Sequence, residues 1–188
     1  MLSTNLKEET KTAHLDLEKQ VVQKLKAIRT NADYADFLKY FYTYFSQVEQ
    51  AIKPYITTSV LPDYPDRRNS VYLKNDIEAL GGTVTDVPRV NVPLIENHIQ
   101  ALGALYVMEG SIMGGSIIIK MLEKGGITEG ISFFSGYGNQ TGYKWGVFTE
   151  AMNHQVVGPE QEAIAIKTAN ETFSKFAEVF DEVNALKS

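Results

Sequence analysis

Apolar residues recur every three or four positions along nearly the whole chain, which predicts helices. Near the N-terminus they form one stripe on a helix that Ser3 or Thr4 would cap. The residues of this stripe are Leu6, Leu17, Val21, Leu25 and Ile28. No segment shows a reliable strand pattern.

Turn residues divide the pattern into further helices. The segments TTSVLPDYPDRRNS, GGTVTDVPRVNVP and SGYGNQTG are rich in residues that favour loops. The remaining helices are predicted from Asn31 or Asp33 to about Pro54, in a short segment ending at Leu80, from near Pro93 to Gly125 or Gly126, from Tyr143 to Val156, and from Pro159 to Leu186. The sequence therefore predicts an all-α protein with one domain over residues 1–188.

Composition narrows the possible functions. The net charge of −5, with no cluster of lysine or arginine, argues against a nucleic-acid binder. The chain has no cysteine, which excludes disulfides, thiolate metal sites and cysteine nucleophiles. The first residues are charged and lack the apolar core of a signal peptide, so we expect a cytoplasmic protein.

The apolar segment from Ala101 to Leu122 is long enough to suggest a membrane span. Glu109 and Lys120 lie within it, and glycines interrupt it. The neighbouring predicted helices are amphipathic and suited to cover a buried helix. The segment is therefore predicted to be a central core helix, and no membrane partner is expected.

His14 lies at the seam between the apolar stripe and a polar flank of the first helix, within about 60° of Leu17 on a helical wheel. A histidine at such a seam is either a hydrogen-bonded structural residue or a ligand. Lys11 and Lys7 precede it by about 5 and 10 Å along the same helix. A neutral imidazole near two ammonium groups suits a ligand with a metal centre and anionic edges, such as heme, although surface lysines are usually only solvated.

Three glycines, Gly103, Gly110 and Gly114, fall within about 40° of one another on the long apolar helix. Each glycine inside a helix costs about 1 kcal/mol relative to alanine, so something must offset the loss. Either another helix packs closely against the glycines, or their bare backbone approaches a flat ligand. The sequence pattern leaves both explanations open.

Together, LKEETKTAH at residues 6–14 and EGSIMGG at residues 109–115 resemble motifs of the heme oxygenase family. The resemblance extends over most of the chain and is greatest to the bacterial branch that accompanies bacteriophytochromes. It implies a helical fold in which heme lies between the first helix and a glycine-kinked distal helix.

The resemblance also implies roles for individual residues. His14 would be the proximal ligand of the heme iron, and Glu18 would hold the other ring nitrogen of His14. Lys7 and Lys11 would lie near the heme propionates. The distal-helix residues implied to contact heme are Tyr106, Gly110, Gly114 and Gly115.

The implied reaction opens the ring of heme b, which is both substrate and cofactor, to biliverdin, carbon monoxide and ferrous iron. It needs dioxygen and an external reductant, such as ferredoxin or a flavoprotein reductase, and its product suits a bilin-accepting phytochrome. Gly110, Ser111 and Gly114 form the implied catalytic set. Ser111 stands where many family members have an aspartate, which leaves open a second function, a non-catalytic heme carrier or sensor.

The remaining histidines, two loop arginines and the aromatic run are expected to have structural or solvent-facing roles. His98 and His154 are expected to be solvated or hydrogen-bonded, and Arg67 and Arg68 to lie on a loop surface. The aromatic run from Tyr34 to Phe45 is expected to be mostly core.

Overall fold

The computed structural model describes the backbone of residues 1–187 and the side chains of residues 1–181. Within these residues the chain forms helices and no strand. The helices are α1 (Leu2–Glu9), α2 (Lys11–Ala27), α3 (Asn31–Ile52), α4 (Ser70–Ala79), α5 (His98–Met113), α6 (Gly115–Lys124), α7 (Thr141–Gln155) and α8 (Gly158–Lys187), with 3-10 turns at Tyr64–Asp66 and Gly138–Gln140. The prediction of an all-α, single-domain fold is confirmed.

The predicted first helix is divided into two at Thr10. The Thr10 side chain is buried, and its Oγ1 donates to the Leu6 carbonyl at 2.6 Å. Such a bond from a threonine to the preceding turn bends a helix. The predicted cap at Ser3 or Thr4 is wrong, because α1 begins at Leu2 and the Ser3 N–H donates to Asn153 Oδ1 of α7 at 3.1 Å.

Helix α3 has the predicted start and supplies much of the core. Thr30 and Asp33 form a capping box, with the Asp33 N–H donating to Thr30 Oγ1 at 3.1 Å. The aromatic run is mostly buried, as predicted, and packs against α8. The ring of Tyr44 stacks on Phe176 at 4.8 Å, and its hydroxyl donates to the Thr172 carbonyl at 2.7 Å.

The apolar helix at the centre is two helices, α5 and α6, whose axes meet at 42°. The predicted start near Pro93 is wrong, because Asn97 caps α5 by accepting from the Gln100 N–H at 2.9 Å. Helix α6 ends at Lys124, with Gly125 as its C-cap, as predicted. Most of α5 is buried, which agrees with a core helix.

Within residues 1–187 no single helix combines the length and apolar composition needed to cross a membrane. Helices α5 and α6 reach that length and composition only when they are taken together across their bend.

Candidate functional site

His14 lies on α2, one turn after the break at Thr10, and its side chain is exposed. Its ring centroid lies 5.5 Å from that of Phe173 on α8. Neither nitrogen of the His14 ring makes a hydrogen bond or ion pair with any described residue. Both nitrogens are therefore available to a ligand, and the role of His14 stays a prediction.

The three charged residues predicted beside His14 are also exposed. Lys7 lies in the last turn of α1, Lys11 begins α2, and Glu18 follows His14 by one helical turn. None of the three forms an ion pair or hydrogen bond with another described side chain. Glu18 does not hold the His14 ring in this structure, and the roles of these residues toward a ligand stay predictions.

Two of the helix glycines are needed for packing. A Cβ atom at Gly103 would lie 2.5 Å from the Ala165 carbonyl oxygen of α8. A Cβ atom at Gly115 would lie 2.1 Å from the Phe134 carbonyl oxygen. Both distances are far below van der Waals contact, so only glycine lets these backbones approach. The packing explanation therefore applies to Gly103 and Gly115.

The other two glycines have no such neighbour. A Cβ atom at Gly110 would come no closer than 3.8 Å to Trp145, and one at Gly114 would meet only the Ser111 carbonyl oxygen, at 3.9 Å. Alanine would fit at both positions, so packing within the described residues does not explain why either residue is glycine. Gly110 lies in the last turn of α5, and Gly114 stands at the 42° bend itself, between α5 and α6.

Tyr106 lies on α5, one turn before Gly110. Its ring centroid lies 5.6 Å from that of Trp145, the same residue that borders Gly110. Burial raises the pKa of the Tyr106 hydroxyl, and the nearby Thr10 side chain partly opposes that shift.

Ser111 is half-buried, and its hydroxyl donates to the Met108 carbonyl oxygen at 2.6 Å. The hydroxyl proton is therefore engaged in a bond within its own helix. The oxygen keeps lone pairs that can accept a hydrogen bond. Its role in catalysis stays a prediction.

Large apolar side chains are exposed on α2, α5 and α6, which carry most of the predicted residues. Leu15, beside His14, is 44% exposed, and Met113 and Ile117, on either side of Gly114, are 46% and 65% exposed. Helices α2 and α6 contact each other. Exposed apolar surface of this kind suits a flat, mostly apolar ligand with its metal at His14.

The expectation that Arg67 and Arg68 lie on a loop surface is wrong, because they are only 3% and 7% exposed. Arg67 Nη1 donates to Glu109 Oε2 and its Nε donates to Asp63 Oδ1, both at 2.9 Å. Lys144 of α7 donates to Asp63 Oδ2 at 2.8 Å. These ion pairs tie the loop and α7 to α5, next to Gly110.

Glu109 is the carboxylate at the centre of this network. Burial raises its pKa, and the charge of Arg67 opposes the rise. The Tyr137 hydroxyl lies 3.3 Å from Glu109 Oε2, and burial together with the nearby carboxylate raises the pKa of Tyr137 to about 12. A single carboxylate inside an apolar helix was a signal in the sequence that a buried cation must face it, because an unpaired buried charge is too costly.

The other histidines lie away from this arrangement, with His98 at the start of α5 and His154 exposed on α7. Among the described residues no group of three or more His, Asp or Glu side chains is placed to hold a metal ion. An iron held by a porphyrin needs no such group, since one axial side chain is enough.

A sequence profile of the family described as heme oxygenase matches residues 1–182. This chain belongs to the heme oxygenase family. It is 27% identical over 146 residues to the heme oxygenase of Xanthomonas campestris pv. campestris (strain 8004), a match that covers 76% of this chain and 86% of that protein. Its fold matches the NO- and CO-bound heme oxygenase from Neisseria meningitidis with a TM-score of 0.81 and 24% identity, over 98% of this chain and 92% of that one.

The predictions of the family, the fold and an oxidoreductase that degrades heme are thereby confirmed. The narrower likeness to the bacteriophytochrome-associated branch stays a prediction, as do the roles of the individual site residues.

Proposed function

We propose that this chain cleaves heme to biliverdin, carbon monoxide and ferrous iron, using dioxygen and external electrons, between α2 and the bend of α5 and α6. The observation that carries the proposal is that two contacting parts of the fold each hold residues without a structural partner: the exposed, unengaged imidazole of His14 on α2, and Gly110 and Gly114 before and at the start of α6, which packing does not explain. Neither feature stabilises the protein by itself, and both are explained by a porphyrin bound between them.

His14 binds the iron in this proposal, through a ring nitrogen that has no partner within the described residues. Glu18 is placed one turn later on the same helix, where a rotamer change would let its carboxylate accept from the other ring nitrogen. Lys7 and Lys11, which are exposed and unpaired in the described part of the chain, offer ammonium groups to the propionates.

On the opposite side, Gly110 and Gly114 let the backbone approach the ring closely, and Gly115 holds the bend in place through its contact with Phe134. Tyr106 lies one turn before Gly110 and packs near Trp145, where its ring would border the bound porphyrin. Bound heme supplies the redox-active iron and the dioxygen chemistry. The protein contributes orientation, exclusion of water and placement of protons.

Proton placement is the step at which this chain departs from relatives with a distal aspartate. The Ser111 hydroxyl donates to Met108, so its oxygen can accept from a water but its proton is already engaged. The same observation favours the second candidate, a heme carrier or sensor that binds heme at His14 and does not open it.

Turnover separates the two functions. Purified protein is mixed with hemin and given ascorbate or a ferredoxin reductase system in air, with catalase present to remove free peroxide. Decay of the Soret band with growth of biliverdin absorbance and release of carbon monoxide would establish catalysis. A stable heme complex that does not change under reduction would support the carrier, and a failure to bind hemin would contradict both.

Further parts of the proposal come from the family resemblance. We propose one heme oxygenase-like domain over residues 1–188, a cytoplasmic location, ferredoxin or a flavoprotein reductase as electron donor, and a phytochrome as acceptor of the bilin. Purifying the product and identifying the biliverdin isomer would test whether a phytochrome can accept it.

A further inference from the structure

A groove of about 440 Å³ lies between α3, the segment 64–71 and α5. Helix α5 contributes Leu105, Met108 and Glu109 to its wall. These side chains are turned about 60–160° around the helix from Tyr106 and Gly110. The groove is therefore a separate place from the proposed heme site, with α5 between the two.

Most charged groups in the wall already have partners. Arg67 is bound to Asp63 and Glu109, each at 2.9 Å. The two carboxylate oxygens of Glu49 accept from the N–H and the hydroxyl of Ser70, both at 2.6 Å. These groups need no further ligand.

Arg68 is the buried exception. It is 7% exposed, and its Nε and Nη1 atoms are buried without a hydrogen-bond partner among the described residues. Its guanidinium lies 3.8 Å from the centroid of the Phe133 ring, a contact that attracts the charge but accepts no N–H bond in the plane of the guanidinium. Asp76 and Glu109 also attract the charge, but their oxygens accept from other donors.

Burial lowers the pKa of Arg68 to about 10, so the side chain is charged at neutral pH. A buried charged donor without an acceptor destabilises a fold unless a ligand completes it. The groove beside Arg68 has the volume of a small-molecule site, and the exposed ammonium group of Lys53 lies on its wall.

We propose that this groove binds a small oxyanion, a carboxylate or a phosphate, that accepts hydrogen bonds from the Arg68 guanidinium. Guanidinium N–H groups match the paired oxygens of both anions. Binding here does not depend on heme, so the site is tested on the heme-free protein. If no oxyanion binds, the proposed heme reaction is unaffected.

The first test measures the unfolding temperature in chloride, acetate and inorganic phosphate at equal ionic strength and pH. An oxyanion about five-fold above its Kd should raise the unfolding temperature of the wild type by about 2–4 °C relative to chloride. Arg68→Gln should lose that rise. Arg89→Gln, which changes an exposed arginine outside the groove, should keep it. An equal rise in all three proteins would mean a general salt effect and would overturn the proposal.

The second test needs no loss of Arg68. The chain has four arginines, so the Nε–H signals of ¹⁵N-labelled protein can be assigned one by one. Titration with acetate or phosphate should shift the Arg68 signal along a saturating curve and leave the Arg29 signal in place, and the more effective anion identifies the group. If Arg68→Gln does not fold, Arg68→Lys, which keeps the charge, takes its place in the unfolding-temperature test. No saturable movement of the Arg68 signal would refute the site.

Discussion

Gly110→Ala should make the heme-free protein more stable and a poorer heme oxygenase. The added Cβ would lie 3.8 Å from Trp145 Cη2, an ordinary van der Waals distance. The position is inside α5, so alanine should stabilise the fold by about 1 kcal/mol through helix propensity. For a chain of this size that corresponds to an increase in unfolding temperature of about 2–4 °C.

The same methyl group would stand on the bare face that we assign to heme. It would hold the ring away from the backbone, which should weaken hemin binding about tenfold or more, or about 1.4 kcal/mol. The rate of heme degradation should fall as hemin binding weakens. The two measurements are the unfolding temperature of the heme-free protein and a hemin titration followed at the Soret band.

Gly115→Ala is the matched control, since its Cβ would lie 2.1 Å from the Phe134 carbonyl oxygen. That clash should cost about 1–3 kcal/mol and lower the unfolding temperature. If Gly110→Ala also unfolded at a lower temperature, Gly110 would be a packing glycine. If Gly110→Ala bound and degraded hemin like the wild type, heme would not lie against this face.

Further predictions concern the axial ligand, the buried ion pair and pH. His14→Ala should abolish stable axial ligation and shift the Soret band of the hemin complex. Arg67→Met should cost about 3–5 kcal/mol in urea unfolding because it leaves Glu109 buried without its partner, and adding Glu109→Gln should restore part of that loss. Burial raises the pKa of Glu49 above its usual 4.5, so the folded state binds the proton more tightly than the unfolded state. Stability of the wild type should therefore fall relative to Glu49→Gln as the pH rises above 4.5.

Each of these has a control at an exposed position. His154→Ala should leave the Soret band of the hemin complex unchanged, and an unchanged band in His14→Ala as well would remove the axial assignment. Arg89→Met should unfold like the wild type, and a similar result for Arg67→Met would show that the buried pair contributes nothing. Glu129→Gln should follow the wild-type pH profile, and the prediction fails if Glu49→Gln does so too.

The local pattern of the chain determined most of the helices. Apolar spacing and turn residues placed α3, α4, α7 and α8 close to their observed bounds, because these signals act over a few residues and need no distant partner. The position of His14 at the edge of an apolar stripe was also readable, since it depends only on helical periodicity. The family motifs added the reaction and the bend of the central helix.

Tertiary structure decided what the glycines do. Gly103, Gly110 and Gly114 shared one face in the sequence, yet a Cβ atom at Gly103 would clash with a backbone carbonyl of α8, while at Gly110 and Gly114 it would meet its neighbours at ordinary van der Waals distances. Gly115, which lies off that face, would also clash with a backbone carbonyl. Which neighbour approaches a helix position depends on how α8 and the 134 loop pack, and no local pattern encodes that.

Tertiary structure also decided which charged side chains are buried. Arg67 and Arg68 stand in a segment rich in proline and polar residues, which locally favours a surface loop. Arg67 is buried because Glu109, 42 positions later, offers it a carboxylate inside the core, and the pairing offsets a desolvation that neither residue would bear alone. Residue type and spacing thus determined where helices form, and contacts between distant segments determined which polar groups the core accepts.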